Sequence, residues 1–210
     1  MMGQVVDLIV PVKRLDAAKS RLRGAFPNRV DLVLALLLDT VTAALAAEGV
    51  RRLLVVCEDD RVPPALRGTG ADCVDKRGLP GLNPALEYGA GVLRSTNRRG
   101  VIGALQADLP ALRPSELDLA IAEAAGRRAF CADRPGTGTT LLLSAPGKPL
   151  QPRFGAGSAA AHLASGAVPI TAPVPTLRCD VDTTDDLAAA CALGPGPRTS
   201  TLVCIGSVTP

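Results

Sequence analysis

Two acidic motifs and one basic loop carry the residue types that could do chemistry in this 210-residue chain. In Gln106-Ala107-Asp108-Leu109-Pro110 a carboxylate directly follows the apolar run Val101 to Leu105, and the proline ends any strand there. Ligands in open α/β sheets gather beyond the carboxyl ends of the strands, so Asp108 is placed to face a metal or a phosphate; Asp is also a common turn former. In Cys179-Asp180-Val181-Asp182-Thr183, strand alternation would send the two aspartates to opposite sides, leaving at most one toward a metal. The basic loop follows the run Val5 to Val10 and Pro11, with Lys13, Arg14, Lys19, Arg21 and Arg23 close together. A cationic loop after a first parallel strand suits a triphosphate, and would otherwise be a solvated charged loop. It contains neither GxxxxGK[ST] nor GxGxxG, which weakens P-loop ATPase and dehydrogenase readings.

The elements that must position these groups alternate along the chain. Apolar residues at helical spacing from Asn28 to Glu48 predict a long helix stopped by Gly49. Strands are expected at Arg52 to Cys57 and Ala71 to Val74. Within Gly78-Leu79-Pro80-Gly81-Leu82-Asn83-Pro84, Asn83 reads as the cap of a helix running from Pro84 to about Leu93. The glycines there would also let backbone groups approach a base. Ser115 is expected to begin a helix with Asp118 as its acidic capping partner, ending near Gly126. Ala129 to Asp133 and Thr139 to Ser144 read as an antiparallel hairpin around Arg134-Pro135-Gly136. Ser158, after Gly155 and Gly157, reads as the cap of a helix whose free amides would attract an anion. Thr183 with Asp186 predicts a capping pair for a helix to about Leu193. The pattern is that of an α/β domain over residues 1–193, its mostly parallel sheet flanked by helices, followed by a tail over 194–210 that adds an edge strand or stays mobile.

Composition narrows the function classes. A net charge of +3 and 2% aromatic residues argue against a nucleic-acid surface. No apolar stretch reaches membrane-spanning length, and Met1 to Gln4 lack a basic leader, so a cytoplasmic protein with no membrane contact is expected. Six widely spaced cysteines and a single histidine offer no zinc pattern and read as reduced core thiols.

Taken in order, Pro11-Val12-Lys13, Gly81-Leu82-Asn83, Gln106 to Pro110, Gly138-Thr139-Thr140, Phe154-Gly155-Ala156-Gly157-Ser158 with His162, and Asp180 to Thr183 resemble the phosphoenolpyruvate/2-phospho-L-lactate guanylyltransferases of coenzyme F-420 biosynthesis. The resemblance covers about residues 4 to 193, and the FGxGS…H segment is its most specific part. More distant nucleotidyltransferases carry LAGGxSxRMG after the first strand, whereas this chain has Val10 to Leu15 in its place. The resemblance implies a single Rossmann-like nucleotidyltransferase domain that moves GMP from GTP to phosphoenolpyruvate, the acceptor favoured here, or to 2-phospho-L-lactate. It further implies Mg²⁺ held by Asp108 and Asp180, triphosphate contacts from Lys13 and Lys19, and guanine near Gly81 and Asn83. Lys13 would also be catalytic with the two aspartates. The acceptor would lie at Thr140, Gly155 and Ser158, with His162 packing or positioning rather than acting as a base. Transient contact with the downstream transferase that consumes the product is a further implication. A noncatalytic nucleotide-binding module of the same fold is the alternative from another class.

Overall fold

In the computed structural model, residues 4–16, 18, 19, 22, 28–76 and 78–206 are described; Arg21 and Arg23 of the basic loop lie outside them. A seven-stranded sheet runs in the order β3-β2-β1-β4-β6-β5-β7. Its first half consists of β1 (Val6–Pro11), β2 (Val50–Cys57), β3 (Asp72–Asp75) and β4 (Val101–Leu105), all parallel. The expected hairpin is present as β5 (Ala129–Ala132) and β6 (Thr139–Leu143). β6 inserts between β4 and β5 and runs antiparallel to both, while the short β7 (Val168–Pro169) is parallel to β5.

The chain alternates these strands with helices because the central strands β1, β2 and β4 are largely apolar on both faces and each face must be covered. On one side α1 (Arg29–Leu45), the expected long helix, is capped by Asn28 and packs over Leu8, Val10, Leu53 and Val55. On the other side α3 (Leu82–Thr96) covers Ile9, Leu54, Val56 and Ile102. The approach of α3 is close enough to need Gly89, where a Cβ would stand 2.9 Å from Val56 and 3.0 Å from Ile9. The remaining helices are α2 (Val62–Ala65), α4 (Pro114–Ala124), α5 (Ser158–Ala164), α6 (Thr184–Leu193) and α7 (Pro197–Gly206).

Several local expectations change. Asp118 does not cap α4, which starts at Pro114; its carboxylate accepts from the amides of Glu48, at 3.2 Å, and Gly49, at 2.7 Å, and so ties the α1–β2 turn. The first turn of α4 supplies Glu116 instead, whose carboxylate accepts from the Thr176 amide at 2.8 Å. Most of the described part of the tail is helical: α7 lies on α1, and the buried Asp39 of α1 accepts from the Thr199 amide at 2.8 Å and the Arg198 amide at 3.3 Å. One helix thus caps the next through a side chain distant in sequence. Cys57, Cys73, Cys131 and Cys179 are free thiols, of which Cys73 is only half-buried. Among the described residues no helix is long and apolar enough to cross a membrane.

Candidate active site

The carboxyl ends of β1 and β4 open into a cavity of about 690 Å³. Strand β1 delivers Lys13 through its following loop, β4 delivers Gln106 to Asp108, and the segment before α6 delivers Asp180, Asp182 and Thr183. The opposite wall comes from the β5–β6 turn and from Gly155 to Ser158 at the start of α5. Lys13, Lys19, Asp108, Asp180, Gly155 and Ser158, read from four separate stretches of sequence, therefore line one space.

Charge in that space is lopsided. Five aspartates (Asp108, Asp133, Asp180, Asp182 and Asp186) line it against two lysines, Lys13 and Lys19. Lys19 forms ion pairs with Asp108 and, at 2.8 Å, with Asp182. Burial works against its charge, but Asp108 and then Asp182 outweigh that cost and hold the ammonium above its usual range. Asp180 is pushed up to about 7, first by burial and then by the neighbouring charges of Asp108, Asp182 and Asp133. The second oxygen of Asp108, Oδ1, is buried with no hydrogen-bond partner. An orphaned carboxylate oxygen beside a carboxylate that resists ionisation is a set of donors that could serve a cation. Among the described residues no three His, Cys, Asp or Glu side chains converge as a ready-made metal cage. Such a cage is not required for Mg²⁺, which commonly takes one or two carboxylates and completes its shell with water and substrate phosphate.

Sequence alternation misplaces Asp182. Residues 180–182 are not a strand, so the two aspartates are not forced apart and both line the cavity. Thr183 and Asp186 do form the expected reciprocal capping box of α6, which fixes where this acidic segment ends. Asp133 was missed; it holds the β5–β6 turn by accepting from the Thr137 amide at 2.8 Å, and its only sequence signal is its place one residue beyond a strand end.

The wall at α5 also differs in detail. Ser158 is the first residue of α5, and Gly157, at φ 70°, is the cap. The amides of Ser158 and Ala159 are already given to the carbonyls of Gly155 and Thr137, both at 3.1 Å, so they are not free for an anion. Thr140 is fully buried with its hydroxyl toward the Cys131 carbonyl at 3.4 Å, whereas its neighbour Thr139 lines the cavity. That reversal follows from the strand period of two. At the base-side wall only Leu82 reaches the cavity. Asn83 is inside α3, not its cap, and its amide is spent in a reciprocal pair with the Phe154 backbone at 3.0 and 2.9 Å; Gly81 is the cap, at φ 82°.

The sequence and the fold both have counterparts among known proteins. Residues 6–200 match the family described as Guanylyl transferase CofC like. A phosphoenolpyruvate guanylyltransferase of Salinispora arenicola is 50% identical over 206 residues, covering 96% of this chain and 94% of the relative. One from Streptomyces scabiei is also 50% identical, over 92% of this chain and 93% of its own. Among solved structures, 4-diphosphocytidyl-2C-methyl-D-erythritol synthase superposes with a TM-score of 0.62 at 15% identity, over 90% of this chain and 99% of that one. A nucleotidyl transferase from Methanothermobacter thermautotroptrophicus gives 0.58 at 19% identity, over 91% and 98%. These two likenesses concern the fold.

Proposed function

The chain belongs to the guanylyl transferase CofC-like family and is a nucleotidyltransferase, and from that premise we propose that it transfers GMP from GTP to phosphoenolpyruvate in coenzyme F-420 biosynthesis. A phosphate oxygen of the acceptor attacks the α-phosphorus of GTP, the bond from that phosphorus to the β-phosphate oxygen breaks, and diphosphate leaves. Negative charge grows on the phosphoryl oxygens and the leaving group, so fixed positive charge aimed at them is the main catalytic requirement. The observation that carries the reading is the acidic cavity itself: five aspartates against two lysines would repel a triphosphate unless a divalent cation entered with it.

Asp108 and Asp180 would hold Mg²⁺, which would neutralise the phosphates in the transition state. Asp108 supports this with its unpartnered Oδ1, and Asp182 stands next to it across Lys19. Lys13 is exposed on the cavity wall with no ion pair among the described residues, which suits a triphosphate contact and a catalytic part in transfer. Lys19, displaced from the carboxylates when the cation binds, would turn to the same phosphates. Guanine would rest near Leu82 and the Gly81 backbone. Asn83 would support that wall from behind, since its amide is already engaged. The acceptor would lie against Gly155 and Ser158, with Thr140 supporting that wall from behind through its carbonyl, which accepts from the Gln106 amide at 2.9 Å. Relatives named for phosphoenolpyruvate favour that acceptor over 2-phospho-L-lactate. We place the reaction in the cytoplasm, with transient hand-over to the downstream transferase.

The test is purified protein with GTP, Mg²⁺ and phosphoenolpyruvate. Diphosphate and a GDP-linked enolpyruvyl product of the expected mass should appear together, and neither should form when the acceptor is omitted or the metal chelated. Diphosphate release without acceptor would overturn the transfer reading.

A further inference from the structure

The single histidine of the chain is fully buried behind the α5 wall and is not part of the reaction described above. Its ring is wedged between Phe154, edge-on at 5.2 Å between centroids, and Phe130 at 5.9 Å, so its orientation is fixed by packing. Nε2 receives the Arg153 backbone amide at 3.0 Å. A backbone N–H can only donate, so Nε2 carries no proton, and in a neutral imidazole the proton must sit on Nδ1. Nδ1 lies 2.9 Å from the Thr139 hydroxyl, to which it therefore donates. Burial, and then the charges of Arg128 and Arg153, push the imidazole down to about 4, so it stays neutral near pH 7.

The consequence falls on two hydroxyls at the cavity wall. Ser158 Oγ donates to Thr139 Oγ1 at 3.1 Å, and both residues line the cavity. Thr139 then accepts from His162 and from Ser158, and its own proton has only the cavity to go to. Were the imidazole the opposite tautomer, Thr139 would donate to Nδ1 and Ser158 to Thr139, which would use up both hydroxyl protons and leave only lone pairs facing the ligand. We propose that His162 is a positioning residue which, through the tautomer imposed by the Arg153 amide, makes the Thr139–Ser158 hydroxyl pair a net hydrogen-bond donor to the anionic acceptor. The inference rests on the acceptor lying at this wall. It adds Thr139 to the acceptor contacts and assigns the donor polarity of the pair to a buried ring that never touches substrate.

Because there is one histidine, its imidazole nitrogens can be read individually by ¹⁵N NMR of the labelled protein, without ligand or turnover. The Nδ1–H tautomer is expected from pH 6 to 8, and an Nε2–H tautomer or an imidazolium in that range overturns the proposal. In kinetics, Thr139→Val should raise KM for phosphoenolpyruvate about tenfold, the scale of one hydrogen bond to a charged group, with KM for GTP unchanged. His162→Leu, which lets the Thr139 hydroxyl rotate but consumes no proton, should raise KM by less than Thr139→Val, and the double variant should match Thr139→Val alone. His162→Asn, whose amide can still donate from the Nδ1 position, should restore KM to within about threefold of wild type. If Thr139→Val leaves KM for phosphoenolpyruvate unchanged while Ser158→Leu raises it, the acceptor is at this wall and the donor pair is wrong. If neither variant moves it, the acceptor placement and the inference fall together.

Discussion

Asp180 shows how a residue can be costly to the fold and useful to the reaction. Burial among Asp108, Asp182 and Asp133 opposes its charge, so removing the charge should not destabilise the protein. Asp180→Asn is therefore expected to cut guanylyl transfer by about 100-fold or more, as loss of an electrostatic stabiliser does, while its melting temperature is equal to or above that of wild type. Product mass and thermal unfolding measured on one preparation check both halves. His162 gives a second expectation, with opposite sense. The unfolded chain takes up a proton below about 6.5, whereas the buried ring refuses it until about 4, held there by burial and by Arg128 and Arg153. Its contribution is thus fully present above pH 6.5 and is lost as the pH falls toward 4, on the order of 3 kcal/mol in all. Wild type should lose melting temperature relative to His162→Asn across that window, and parallel curves would exclude the effect. At this scale the sequence motifs located the right stretches but not always the right atom. Thr139 and Thr140 are adjacent and chemically identical, and only the pairing of β6 with its neighbours decides which hydroxyl faces the cavity.

Elements were most legible where their signals are local. Asn28 before α1, Thr183 with Asp186 at α6, and the turn joining β5 and β6 all place a capping or turn residue within four positions of what it organises. The misreadings have long-range causes. Asp118 is recruited by the α1–β2 turn, 69 positions away at Gly49, and α7 forms from a Gly, Pro, Ser and Thr-rich segment with little apolar periodicity. What organises α7 is Asp39, whose carboxylate meets the Arg198 and Thr199 amides from 159 and 160 residues away. No window along the tail could contain that information. Asp39→Ala leaves the buried Thr199 amide without an acceptor, which costs about 1–3 kcal/mol. For a chain of this length that is a fall in melting temperature of about 3–10 °C. Proteolysis should then cut the tail first, and a variant as stable and as resistant as wild type would show that α7 docks by other means. Catalytic constants should change little, because Asp39 and α7 do not line the cavity.

At the scale of the whole molecule, parallel β1 and β4 bring the basic loop and Asp108 to one end of the sheet, while the antiparallel β6 turns its start, with Thr139, toward that same end. Inserting β6 between β4 and β5 is what sets the wall of Thr139 and Ser158, the proposed acceptor wall, opposite the acidic wall. Phosphoenolpyruvate and 2-phospho-L-lactate both present a phosphate and a carboxylate on adjacent carbons, so donors on that wall would serve either anion. They differ in the planar or tetrahedral C2 and in the shape near C3, which in the proposed placement Gly155, Ala156 and Gly157 would meet with little side-chain bulk. An apolar contact of that size is worth about 1–3 kcal/mol, or roughly 10–200-fold in rate. With both acceptors at equal concentration and GTP saturating, the enolpyruvyl product should therefore exceed the lactyl product by a factor in that range, without excluding it. Separation of the two GDP-linked products by mass gives the ratio. Predominance of the lactyl product would reverse the acceptor assignment, whereas a ratio near one would mean that the wall reads only the two anionic groups and leaves discrimination to the supply of substrate.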